Sequence, residues 1–172
     1  MALNATNAHH AHGMVTIHAA QRALQLHLEW AVGRALGAAS GFSFEWEAQP
    51  AQAGSFRATS AWDGSVGTGA ILASALREWE IPFEVTESSN DGLSVHYMAT
   101  PELGLFTGTT DRGGSIVVDE HRIHLAFAKH AGDADGLASE FGRLLGVPWD
   151  TELEPLRHAQ DLSRTIWMDR AV

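Results

Sequence analysis

Apolar and polar positions alternate along several stretches of the first 110 residues and shift to helical spacing between them, so the pattern itself divides the chain. From residue 15, Val15, Ile17 and Ala19 alternate with Thr16 and His18, the period of a half-buried strand. Residues 21–37 place Leu24, Leu28, Ala31, Val32, Ala35 and Leu36 on one helical face, with His27 on its shoulder and Gly37 where a left-handed cap ends a helix. Residues 42–49 predict the cleanest strand, with Phe42, Phe44, Trp46 and Ala48 opposite Ser43, Glu45, Glu47 and Gln49. A turn at 50–54 leads into a strand at 55–62, where Phe56, Ala58, Ser60 and Trp62 lie opposite Arg57 and Thr59. Arg57 can then pair across the hairpin with Glu45 or Glu47. The stretch 62–79 organises the rest: a strand end, a glycine-rich turn, and a helix with Leu72, Leu76 and Trp79 as one buried stripe. Residues 82–88 then give a fourth strand, Phe83 and Val85 inward and Glu84 and Thr86 outward.

The order βαββαβ predicts an α+β fold with a ferredoxin-like core: an antiparallel sheet in spatial order 4-1-3-2 with two helices on one face. Asn90-Asp91-Gly92 is a hairpin signal, so strands at 93–100 and, after Pro101-Glu102, at 103–109 extend the sheet as extra edge strands. Arg112-Gly113-Gly114 turns the chain into a short strand at 116–118, and Asp119 is placed to cap a helix carrying Ile123, Ala126, Phe127 and His130. A helix at 135–145 with Leu137, Phe141, Leu144 and Leu145 ends at Gly146-Val147-Pro148. One more short helical turn at 149–155 and an edge strand at 165–168 complete a mainly helical C-terminal extension. The expected division is a mobile leader at 1–13, with Met14 as an alternative start, and a single domain at 14–172. Within it, 14–89 form the core and 90–172 the edge strands and extension.

Charge narrows the partners. With 21 acidic residues against 11 Lys and Arg, the formal net charge of −10 repels nucleic-acid phosphates and anionic lipid surfaces. The chain has no cysteine, which removes disulfides, thiolate metal sites and a cysteine nucleophile, and suits a cytoplasmic location. No apolar run reaches the roughly 20 residues of a membrane span.

The segments H-L-E-W-A-V-G-R-A-L-G (27–37), V-G-T-G-A-I-L-A-S-A-L-R-E-W (66–79), F-E-V-T-E (83–87), T-P-E-L-G-L-F (100–106) and W-D-T-E-L-E-P-L-R-H (149–158) together resemble an actinobacterial family catalogued only as a domain of unknown function. The resemblance runs from Val15 to Trp167 and carries no assigned reaction. It implies a cytoplasmic protein and, through gene neighbourhood, a link to fatty-acid or acyl metabolism. Acyl carrier protein is itself acidic, so direct docking would require a local arginine patch.

Three groups of residues offer chemistry. Gly64, Ser65, Val66, Gly67, Thr68 and Gly69 join a strand to a helix, where backbone amides and the helix dipole can hold a small anionic ligand. The turn lacks both the lysine of a nucleoside-triphosphate loop and the G-x-G-x-x-G spacing of a dinucleotide fold, so no cofactor is expected. Its alternative role is close packing, with Ser65 or Thr68 as N-cap. On the outward sheet face, His18 is expected between Arg57 and Glu84, with Thr16, Thr59 and Thr86 nearby. The histidine would be an acid or base, Glu84 its orienting group and Arg57 an anion holder. The alternative is a polar face covered by the C-terminal helices or a partner. That face offers no aromatic residues for stacking bases, a second argument against RNA. His9, His10 and His12 in the leader have a spacing that could hold a stray transition metal but read first as incidental, and Asp119, Glu120, His121, His124 and His130 read first as a solvated helix start, since two histidines one turn apart fall short of the three or four ligands of a zinc site. Asp150, Glu152 and Glu154 read as dipole-favourable residues at a helix start.

The leading expectation is a non-enzymatic binding or regulatory protein whose partner is another protein or a small anionic ligand. A homodimer through sheet faces or edges is a further option. The rival is a small enzyme acting on an anionic or acyl substrate with His18 as acid or base, and a third reading is a structural assembly subunit.

Overall fold

The computed structural model describes residues 10–38, 41–89 and 93–169, with side chains described as far as His158. Seven strands form one antiparallel sheet: β1 (His10–Gln21), β2 (Glu47–Ala48), β3 (Ser55–Ser65), β4 (Phe83–Ser89), β5 (Ser94–Thr100), β6 (Gly104–Thr110) and β7 (Ile116–Val117). Their order is β2-β3-β1-β4-β5-β6-β7. The helices are α1 (Gln25–Ala35), α2 (Thr68–Arg77), α3 (Glu120–Lys129), α4 (Ala134–Leu144) and α5 (Val147–Asp169). The protein is therefore an α+β fold of helices on a mixed-length antiparallel sheet.

One face of the sheet is an apolar interface. Val15 and Ile17 of β1, Ala58 and Trp62 of β3, Phe83 and Val85 of β4 and Tyr97 of β5 pack with Leu28 and Val32 of α1 and Leu72 and Leu76 of α2. These are the positions that the two periods select, and burying them removes apolar surface from water without any directional requirement. Gly37 has φ +66°, the left-handed conformation expected after α1.

Several expectations are corrected. β1 starts at His10, so residues 10–13 belong to the sheet and not to a leader; residues 1–9, including His9, lie outside the described residues. A register shift between Ile17 and Ala20 adds a residue to β1, so Ala20 takes the place in the core that simple alternation gives to Ala19. Only Glu47 and Ala48 of the expected strand at 42–49 pair with β3. Phe42, Phe44 and Trp46 still pack against the core, but Phe44 N–H and the Trp46 indole donate to Glu29 of α1 in place of a strand neighbour. The residues at 165–168 lie in α5 and form no edge strand; α5 also replaces the short turn expected at 149–155. The hairpin turn at 90–92 falls outside the described residues, though β4 and β5 pair antiparallel beside it.

The other sheet face is covered in part by α5. Trp149 and Leu153 pack on Met98 and Phe106, and the Trp149 indole donates to the Gly104 carbonyl at 2.9 Å. Among the described residues this second apolar cluster has four buried members, and α5 makes polar contacts as well. α3 and α4 precede it; Asp119 caps α3 as expected, accepting from Arg122 N–H at 3.0 Å.

Candidate functional site

Beneath α5, three side chains converge on one carboxylate. Glu84 Oε2 lies 2.6 Å from His18 Nε2 and 3.0 Å from Arg157 Nε. Its Oε1 lies 3.0 Å from His96 Nε2 and also accepts from Arg157 Nη2. β1, β4 and β5 supply His18, Glu84 and His96 at neighbouring positions on one face, and α5 brings Arg157 over them as a fork spanning both oxygens. Burial pushes the Glu84 carboxyl up, but the bonds from His18, His96 and Arg157 outweigh it and hold the group well below the usual carboxylate range. An ionised carboxylate only accepts, so both histidines must carry hydrogen on Nε2. For Arg157, burial opposes the charge, and Glu84 followed by Asp150 more than offsets it. Its Nη1 donates to Asp150 at 2.9 Å and Glu154 at 3.3 Å, and Nη2 reaches Met98 Sδ at 3.5 Å. Gln49 adds a second tie, its Nε2 donating to the His18 carbonyl at 2.6 Å and the Leu156 carbonyl at 3.2 Å.

The His18 side chain is 6% exposed and that of Glu84 14%, so the pair is closed beneath the helix. Arg57 donates to Glu47 at 3.0 Å, one of the two cross-hairpin pairs expected from the strand pattern. Thr59 and Thr16 share a hydrogen bond of 3.2 Å on the part of the face that α5 leaves uncovered. A histidine and carboxylate so arranged have the geometry of an oriented acid–base pair, while their burial and multiple bonds also describe a clasp between helix and sheet.

The glycine turn holds an anion, and the anion is internal. Gly67 N–H donates to Glu87 Oε1 at 2.7 Å and Gly69 N–H to Glu87 Oε2 at 2.6 Å. The α2 N-cap is Gly67 at φ +94°, with no cap from its own side chain, so neither Ser65 nor Thr68 is the N-cap. Glu87, reaching across from β4, fills that role at the positive end of the helix dipole. Gly69 has no room for more: a Cβ there would lie 2.8 Å from Glu87 Oε2 and 3.3 Å from Tyr97 Cε2. Burial and then the Glu87 charge push the Tyr97 phenol up. Of the other turn residues, Gly64 packs on Thr68, where a Cβ would lie 2.8 Å from Oγ1.

An open cleft of about 710 Å³ lies at the end of the sheet, bounded by the last residues of β1 and β5, the approach to β4 and the inner side of α5. Ala19, Leu24, Trp79, Ile81 and Leu156 give it an apolar wall, and Glu80, Glu102 and Glu152 contribute carboxylates. Glu80 has φ +50°, the one non-glycine residue with positive φ among the described residues. Elsewhere, His124 pairs with Glu120 at 3.3 Å, and His130 lies 3.5 Å from Glu140.

Arg157, His96, Glu87 and Gln49 were missed by sequence reasoning. Two of them leave a trace: Glu87 falls on the inward side of the alternation that buries Phe83 and Val85, and Arg157 follows Asp150 and Glu154 at intervals of seven and three on one helical face. His96 falls on the outward face of a predicted strand, but its pairing with Glu84 depends on strand register, which turn residues alone do not fix.

No curated protein and no solved structure matches the chain. A family model matches residues 14–170. On that coverage, the chain belongs to the family described as "Protein of unknown function (DUF3145)".

Proposed function

We propose that this is a non-enzymatic binding protein that takes its ligand in the cleft at the end of the sheet. The observation that carries the reading is a contrast in saturation. The Glu84 carboxylate is bonded by His18, His96 and Arg157, and the turn amides of Gly67 and Gly69 are engaged by Glu87, whereas the cleft is open. Its volume of about 710 Å³ is that of a small-molecule pocket. An apolar wall beside Glu80, Glu102 and Glu152 favours a ligand with an apolar body and a cationic end, such as an alkyl amine, over the small anion expected from the turn. A role in acyl metabolism is compatible only where the group near the carboxylates is neutral or cationic.

The reading includes a ferredoxin-like core, supported by the antiparallel order β2-β3-β1-β4 with α1 and α2 packed on one face. It also includes a cytoplasmic location, which a cysteine-free composition suits.

The test is calorimetric titration with octylamine and octanoate, equal in chain length and opposite in charge. The expected result is that octylamine binds at least roughly tenfold more tightly, as opposite charge complementarity requires, and that Glu102→Gln with Glu152→Gln reduces the preference. Equal binding of the two would reject the charge selection. Binding of neither would reject the cleft as a site for this class of ligand.

A further inference from the structure

We infer that the outer face of α1 and α2 is a two-fold interface between copies of this chain. Leu26 is 78% exposed, Trp30 63% and Ile71 55%, a concentration of apolar surface that an isolated acidic chain has no reason to leave in water. Trp30 stands as a ridge between two grooves. One, of about 480 Å³, is shared with Arg34, Ile71, Glu78 and Trp79; the other, of about 470 Å³, with Leu26, Glu29 and Phe42. A projecting indole beside grooves on one surface is the self-complementary shape that a two-fold contact needs, since the same patch must serve as both knob and hole.

Charge selects a second copy over other occupants. Residues 22–38 and 66–79 hold three arginines and two glutamates, so the face is nearly neutral while the acidic surplus of a −10 chain lies elsewhere. Arg34 stacks on Trp30, its guanidinium carbon 5.3 Å from the ring centroid, and among the described residues neither Arg34 nor Glu78 takes part in an ion pair. An acidic partner would satisfy Arg34 and oppose Glu78; a basic partner would do the reverse. A two-fold copy satisfies both, with each Arg34 meeting the other's Glu78. Two helices of 11 and 10 residues present a small area, so the association is weak, in the micromolar range or above.

Sedimentation velocity over rising concentration tests this on the full chain. The expected mass climbs from 18.5 kDa towards twice that value. Trp30→Ala weakens association by more than roughly tenfold, as loss of a central aromatic does. Arg34→Glu and Glu78→Arg each weaken it at least roughly tenfold through like-charge contacts, and mixing these two variants restores it because opposite charges then meet at both contacts. These side chains are on the surface, and unchanged circular dichroism checks that each variant folds. A mass that stays at the monomer value up to about 1 mM, association indifferent to the variants, or a mixture no better than either variant alone would each overturn the inference.

Discussion

The two faces of the sheet are held by different physics. Against α1 and α2, a continuous set of aliphatic and aromatic side chains is buried with no requirement on direction. Against α5, the apolar cluster of Met98, Phe106, Trp149 and Leu153 is supplemented by one carboxylate, two histidines, an arginine and a glutamine whose bonds each need a particular geometry. The first face tolerates small shifts and supplies stability in bulk. The second fixes the position and register of one helix, and with it one wall of the cleft, because Pro155 and Leu156 line the cleft just before Arg157 reaches Glu84.

Substitutions on each side separate the two. The largest effect is expected from Phe83→Ala, which leaves a cavity in the fully buried α1–α2 side and lowers unfolding free energy by about 3–5 kcal/mol. Chemical denaturation should show it as a lower midpoint with all probes still coincident. Glu84→Gln is next, at about 3 kcal/mol, because Arg157 loses its main partner under partial burial. Its loss should concentrate in α5, read by hydrogen exchange. Glu87→Ala, which removes the carboxylate bound to the Gly67 and Gly69 amides, should cost about 1–2 kcal/mol as the loss of a helix cap. It bears on α2, on the apolar side, and leaves α5 in place.

Acid gives a graded version of the Glu84 test. The folded carboxyl titrates well below the ordinary glutamate value of about 4.3, so the unfolded chain binds a proton that the folded chain refuses. The stability it contributes is complete at neutral pH and is lost progressively as the pH falls below about 5 towards the folded value. Glu84→Gln should flatten that part of the stability–pH curve, and denaturation midpoints measured between pH 3 and 7 check it.

The same division decides what the sequence made legible. The apolar face is written in short-range periods, so Leu28, Val32, Leu72, Leu76, Phe83 and Val85 could be assigned to the core from spacing alone. Its failures are local: Phe42, Phe44 and Trp46 keep a strand-like alternation because they line the core, yet Glu29 replaces the ladder that would have made them a strand. The β1 bulge between Ile17 and Ala20 has no sequence mark comparable to a glycine or proline. On the polar face, His18 and Glu84 were placed together from strand order. Arg157 was not, because it is 73 residues from Glu84 and the path of α5 depends on contacts that no local pattern encodes. The glycine turn reads from sequence either as a cradle for an anion or as a site of close packing, and neither reading says that the group on its amides is Glu87 of the same chain.

On the non-enzymatic reading proposed above, the Glu84 cluster acts as a clasp holding α5 over the sheet and beside the cleft. Hydrogen exchange at neutral pH, comparing the native chain with Glu84→Gln, tests it most directly. The account predicts that amides of α5 exchange at least roughly tenfold faster in the variant while those of α1 and α2 keep their protection, the mark of a separable local opening. Equal acceleration across α1, α2 and α5, or no change in α5, would contradict it.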